Sequence, residues 1–492
     1  MTKRYLFLFL LLLALSAGAE TNDSSLPCRA PHKGRTIPHD IEWDASRTYR
    51  QIVILFEFKD ETFLDSDPKA YYQRLFNEKG YNEGAGPGCI ADYILDQSHG
   101  LVHIQFDIFG PYKVSYPAKN EDLVYNEGMR EKKEATQLFF EANPTMDYSI
   151  YDWNGDGAVE QIVYVHAGLG SDKKEPGYIW PNTSANSITA HTPDGLDVVM
   201  LSISAEAYVD GVRKKRGFGT TLHEYMHTFG LADVYPTAGQ NEVFSIADEW
   251  DIMDGGNWIN NGWCPPNLTA AEKIRLGWIT PIELANDTSI SDMKPVADGG
   301  SAYLIRHSKE EWILLENRQQ TGWDYGIPGR GLTIWRVHWN QTRWDYNEVN
   351  DYKSYLELYF ADNLTYVQWQ ERVPENKKYT LDPNMRSQWL STAAYPWRTD
   401  STSYVNDQLT NESTPALIMH TVNENGNRIL NKHIKNIQMA EDGTISFDVE
   451  KDRSEGIENT GDDAKAVKRF ENGQLIIVRD GKLYNALGIV VR

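Results

Sequence analysis

The sequence predicts an α/β (α+β) domain followed by a β-rich, sandwich-like domain. Two observations carry this expectation. The chain has 492 residues of which 41% are hydrophobic and 12% aromatic, enough to build two or more sizeable cores. Strand-like and helix-like patterns also alternate as far as about residue 290, after which short, aromatic, β-rich stretches separated by Gly, Pro and Asn turns take over.

The elements follow in order. "MTKRYLFLFLLLLALSAGAE" sets basic Lys3 and Arg4 before an apolar run and the small residues Ala17, Gly18 and Ala19, the pattern of a secretory signal peptide over residues 1–19. Residues 20–48 are polar and turn-rich and read as an N-terminal extension or short pro-segment. The first domain, residues 49–290, opens on the buried strand "QIVILFEF". Helical spacing follows in "PKAYYQRLFNEKG" and "CIADYILDQSHG", then a strand in "LVHIQFDIFGPYKVSY" and a helix in "MREKKEATQLFFEA". "EQIVYVHAG" and "LDVVMLSI" are β-like, and "TAAEKIRLGW" is a helix that closes the domain. The β-rich domain, residues 291–450, holds "SAYLIRHS", "EWILLENRQQ", "GLTIWRVHW" and "TISFDVEK". Residues 451–465 form a polar linker, and residues 466–492 alternate around Asn472-Gly473 and Asp480-Gly481 as a β-hairpin tail does.

The formal charge is −22, becoming −24 once Lys3 and Arg4 leave with the signal peptide, and the acids are dispersed. That argues against nucleic acid and anionic membrane as partners, and no stretch after the leader approaches a transmembrane length. A location outside the cytoplasm, secreted or at the cell surface, follows from the leader. The three cysteines, Cys28, Cys89 and Cys264, allow at most one intrachain disulfide. Cys28, near the mature N-terminus, is either a plain thiol or a latency plug on a metal.

The chemistry concentrates in His223-Glu224-Tyr225-Met226-His227, continued as "TFGLAD". On a helix, residues at i and i+4 share a face, so both imidazoles can reach one Zn²⁺ while Glu224 faces the open coordination position as general base. Gly230 falls where this helix stops and can take the left-handed turn that brings Asp233 back as third ligand. Downstream, Met253 lies in "EWDIMDGGNW", whose two glycines call for a tight turn. Asp248, Glu249, Asp251 and Asp254 compete with Asp233 for the third position. Tyr225 and Tyr235 are conceivable oxyanion donors, but a buried structural Tyr is the favoured reading of either. His166 and His338 read as structural or surface histidines.

A second cation site is expected at "DWNGDGAVE". Asp152, Asn154, Asp156, Ala158 and Glu160 occupy positions 1, 3, 5, 7 and 9 of a loop with Gly157 at position 6, spacing that suits structural Ca²⁺. The twelfth position is Val163, so the bidentate acid of an EF-hand is missing, and an Asx-turn without an ion is the alternative.

From about Tyr49 to Val449 the chain resembles the M6 family of secreted metallopeptidases, the immune inhibitor A group. The resemblance runs through "IVILFEFKDETF", "CIADYILDQSHG", "FDIFGPY", "YDWNGDGAVEQIVYVHAG", the extended zinc motif, "WDIMDGGNW", "LTAAEKIRLGWITP" and "LLENRQQTGWDYGIPGRGLTIWRVHW". It implies a metzincin-like catalytic domain before the β-rich one, calcium at the acidic loop, and zinc-dependent proteolysis of extracellular proteins or peptides. It also implies that His223, His227 and Asp233 hold zinc, that Glu224 is catalytic, and that Met253 is the Met-turn beneath the metal. The sequence departs from the family's pattern at Met226 and Ala232, where Gly and Pro are usual. A surface adhesin or glycan-binding protein with a vestigial protease domain is the alternative from another class, and a different zinc hydrolase such as an amidase is a third.

Overall fold

A computed structural model describes residues 41–484 apart from 121–126, 174–175, 187, 238–246, 352, 365–382, 399–404, 452–466, 472–473 and 480–481. The expected signal peptide, Cys28, most of the N-terminal extension, the linker and the two hairpin turn dipeptides lie outside the described residues. The chain divides into a unit reaching Glu450 and a second from Lys451.

The first sheet is built from β1 (Thr48–Glu57), β2 (His103–Lys113), β3 (Ala158–Leu169), β4 (Asn182–Ala185), β5 (Asp197–Asp210) and β6 (Val212–Lys215), in the order β2-β1-β3-β5-β4 with β6 paired to β5. The four long strands run parallel, while β4 and β6 are antiparallel to β5. Parallel strands are covered on both faces, which is why β1 reads as a continuous apolar run rather than an alternating one. Along β1, Val53 and Leu55 enter one core, and Ile52, Ile54 and Phe56 enter the other.

Helix α1 (Pro68–Asn77), α2 (Ile90–Gln97) and α4 (Gly219–Thr228) contribute to the first of these cores, and α3 (Met129–Ala142) to the second. Their ends are set locally. Asp67 caps α1 ahead of Pro68 at the first helical position, and Cys89 caps α2 through Asp92, whose carboxylate returns to the Cys89 N–H at 3.1 Å. Cys89 and Cys264 are both buried free thiols. The α3 boundaries are those the sequence predicts.

After α5 (Ala270–Arg275) and the short β7 (Ile282–Glu283) and β8 (Thr288–Met293) come β9 (Tyr303–Arg306), β10 (Glu311–Arg318), β11 (Gly331–His338), α6 (Gln341–Asp345) and β12 (Leu356–Leu358). The second sheet has the order β12-β11-β10-β9-β7. One set of its residues, including Leu314, Trp335 and Val337, joins the same core as α4, so the two parts expected on either side of residue 290 share apolar interior. The alternate set, including Ile313, Leu315 and Ile334, forms a third core with β15 (Lys432–Met439) and β16 (Ile445–Lys451), which belong to a three-stranded sheet of order β15-β16-β8. The short β13 (Trp397–Arg398) and β14 (Val405–Asn406) make a separate two-stranded ladder. The architecture is therefore mixed α/β with additional β-sheets.

In the second unit, β17 (Val467–Glu471), β18 (Gln474–Arg479) and β19 (Lys482–Tyr484) form an antiparallel three-stranded sheet. Among the described residues no helix is long and apolar enough to cross a membrane.

Candidate metal centre

Every residue of α4 is buried, so its histidines need a reason to lie inside. The helix ends as the glycine predicts. Gly230 has φ +96°, its N–H bonds to the His227 carbonyl at 2.9 Å, and the Leu231 N–H returns to the Met226 carbonyl at 3.3 Å. The reversal brings Asp233 Oδ1 to 3.2 Å from both His223 Nε2 and His227 Nε2.

The orientation of each ring is fixed from behind. His223 Nδ1 donates to the Ile252 carbonyl and His227 Nδ1 to the Leu231 carbonyl, both at 2.8 Å. A carbonyl only accepts, so each Nδ1 carries a proton and Nε2 is the ring atom turned toward Asp233. His223 Nε2 and Asp233 Oδ1 are buried and neither makes an aligned hydrogen bond. Three ligand-type atoms converge here, two of them buried without a hydrogen-bond partner, and two nitrogens with one oxygen fit a cation of Zn²⁺ type.

Electrostatics follow from the crowding. Burial works against a charged His223 ring, yet the carboxylates of Asp233 and Glu224 raise its pKa to about 9. Burial would also raise the Asp233 carboxyl, but His227 and then His223 hold it well below the usual carboxylate range. Glu224 is raised, chiefly by burial. Its side chain is steadied by Thr183 on β4, whose hydroxyl lies 2.6 Å from the Glu224 carbonyl and 3.1 Å from Oε2. Lys132, buried on α3, reaches Asn182 Oδ1 at 3.2 Å, and burial lowers its pKa to about 8 although Glu127 and Glu224 oppose the shift.

Two partners of the site escape the motif. Asn347, in the turn after α6, clamps Asp233: its Oδ1 accepts from the Asp233 N–H, and its Nδ2 donates to Asp233 Oδ2 at 2.6 Å, leaving Oδ1 toward the histidines. The other is Thr183. Neither lies in a recognisable pattern, and only the asparagine's φ of +59° hints at a special backbone position.

Met253 is fully buried in the turn at residues 252–254. Ile252 receives the His223 bond, and the Met253 carbonyl accepts from the Val234 N–H at 2.9 Å, so this turn braces both the His223 ring and the Asp233 segment. The competing acids Asp248, Glu249, Asp251 and Asp254 do not join this group of three ligand-type atoms. Asp251 Oδ1 accepts from the Met253 N–H, Asp254 Oδ2 from the Asp248 N–H, and Glu249 from Ser387. Tyr225 commits its hydroxyl to Gln51 Oε1 at 3.0 Å within the core. His166 is buried against Phe56 and Phe58, and burial lowers its pKa to about 4.

The acidic loop precedes β3. Gly155 and Gly157 have φ of +77° and +88°, and Asp152 accepts from the N–H groups of Gly155, Asp156 and Gly157. Asn154 and Asp156 are exposed, whereas Glu160 turns inward and takes the N–H groups of Trp153 and Asn154. Burial raises the Glu160 pKa to about 7. The structure thus puts Asp152, Asn154, Asp156 and the Ala158 backbone around one turn, with Glu160 as an internal cap behind it.

Compared with family profiles and with curated proteins, the chain matches none.

Proposed function

We propose that the chain is a secreted zinc-dependent endopeptidase acting on extracellular proteins or peptides. The observation that carries this reading is the buried convergence of His223, His227 and Asp233, each oriented from behind, with Glu224 on the same helix. The M6-like and metzincin-like motifs, including Met253 in its turn, support peptide bonds as the substrate. When bound, Zn²⁺ supplies Lewis acidity that polarises a carbonyl and acidifies a water.

The chain's own residues do the rest. The Glu224 carboxylate, raised by burial toward the operating range of a general base, takes the proton of the attacking water and returns it to the leaving amine. Thr183 holds that carboxylate in place. β4 ends the strand order of the first sheet beside α4, and an extended peptide laid along a sheet edge there passes the base. Replacing Glu224 with Gln keeps size and polarity but removes the base. Zinc content should stay that of the wild type while cleavage of denatured casein falls by about 10²–10⁴. Retained cleavage, or wild-type cleavage that survives a zinc-selective chelator, defeats the proposal.

Ca²⁺ at the acidic loop belongs to the same reading, with Asp152, Asn154 and Asp156 as side-chain donors and the Ala158 carbonyl beside them. Added Ca²⁺ should raise the unfolding temperature of the wild type but not of Asp156→Ala; equal shifts in both proteins remove the loop from consideration.

A further inference from the structure

A second group of metal-type ligands lies in the β-rich half, apart from the residues of the α4 site. Glu311 opens β10 and His338 closes β11, directly opposite each other in the antiparallel register. His420 arrives from the segment between β14 and β15, a stretch tied down by the isolated bridge Ile418↔Ile429. One ligand-type atom from each of the three lies within 4.8 Å of the other two.

The surroundings resemble a metal cradle more than an ordinary polar cluster. Glu311 is fully buried and His338 is only 9% exposed. The Nδ1 atoms of His338 and His420 are both buried and neither has a hydrogen-bond partner, a double omission that folded interiors rarely tolerate. The rings meet edge to face, with centroids 5.8 Å apart. The carboxylate is held from behind: Glu311 Oε1 accepts from the His420 N–H at 2.7 Å, and Oε2 from the Thr421 N–H and hydroxyl at 2.6 and 2.7 Å. Oε1 keeps a lone pair, and outer bonds of this kind orient ligating carboxylates.

Charges of both signs lie nearby. Arg336 Nε is 3.8 Å from Glu311 Oε1 and Lys353 also faces the histidines, both unfavourable to a cation. Arg336, however, is paired with Glu357 and donates to the Ile418 carbonyl, and Glu310 adds negative charge beside His338.

We propose that Glu311, His338 and His420 form a second site for a divalent transition metal, with Zn²⁺ the best-suited ion, which fastens the segment around His420 to the β10–β11 sheet. Two imidazoles and one carboxylate suit Zn²⁺ and its neighbours rather than Ca²⁺ or Mg²⁺, which take all-oxygen shells. Three protein ligands leave a fourth position for water. This site stands whether or not the α4 site is catalytic.

The test counts metal in the intact chain. Apo-protein equilibrated with buffered Zn²⁺ should hold two ions per chain by mass spectrometry of the metal, His420→Ala should hold one and keep its casein cleavage, and His223→Ala should hold the other. Should His420→Ala fail to fold by circular dichroism, His420→Gln and a Co²⁺ titration of the His223→Ala chain replace it; a visible d–d band in that chain supports the site. Zinc that is lost with His420 in a chain that cleaves nothing supports this site while removing the catalytic one. Unchanged zinc content in a folded His420 variant, or no Co²⁺ band in His223→Ala, overturns the proposal.

Discussion

Asn347 offers the sharpest test of how the α4 site is held. It is 2% exposed, and both ends of its amide are spent on Asp233, the N–H on one side and Oδ2 on the other. The bond to the carboxylate is charge-assisted, a class worth about 1.5–3 kcal/mol. Losing an outer-shell partner of a metal ligand costs roughly 10–100-fold in affinity, or about 1.4–2.7 kcal/mol. Alanine is a poor probe, because φ of +59° strains any residue with a Cβ and so mixes fold stability into the result. Glycine accepts that conformation and carries no side-chain amide. Asn347→Gly should therefore weaken Zn²⁺ binding by about 10–100-fold in competition against a chromophoric chelator. Saturating Zn²⁺ should restore most of the turnover, since the clamp orients a ligand and touches no reacting atom. An affinity within about twofold of the wild type would refute the clamp as an orienting device and leave Asn347 as a turn residue.

Two further outcomes follow from other contacts. Thr183→Val deletes a hydrogen bond that lowers the Glu224 pKa against the effect of burial, so that pKa rises and the acid limb of the pH–rate profile should move to higher pH with KM little changed; an unmoved limb separates Thr183 from the base. His166 is held neutral by burial, its pKa lowered from 6.5 to about 4, so the stability it contributes is present above pH 6.5 and lost as pH falls through 4. That is of order 3 kcal/mol. His166→Phe should therefore show a flatter fall in urea midpoint between pH 7 and pH 4.5 than the wild type; parallel curves would show that this ring is not a source of acid instability.

What the sequence made legible is local. The i, i+4 histidines, the helix stop at Gly230 and the turn at Met253 all lie within one stretch of chain, and backbone geometry alone relates them. The α3 span was readable from its spacing, but not that Glu131 and Lys132 inside it are buried, because a charged pair on a helix ordinarily faces water. The clamp was illegible for a different reason: Asn347 and Asp233 are 114 residues apart, and nothing in either neighbourhood marks the other. The pairing of Glu311 with His420, 109 residues apart, was hidden likewise, and His338 alone resembled any structural histidine. The acidic loop was legible as a loop, whereas the inward turn of Glu160 depends on the backbone N–H groups of Trp153 and Asn154 that it satisfies.

The separation of Asp233 from its clamp also has a bearing on timing. A chain emerging from the ribosome carries the histidine helix and its glycine turn well before Asn347 appears. Until then the Asp233 carboxylate lacks the amide that holds its Oδ2. The order of synthesis thus places the brace after the motif, and a chain broken off between the two halves carries the complete motif without it.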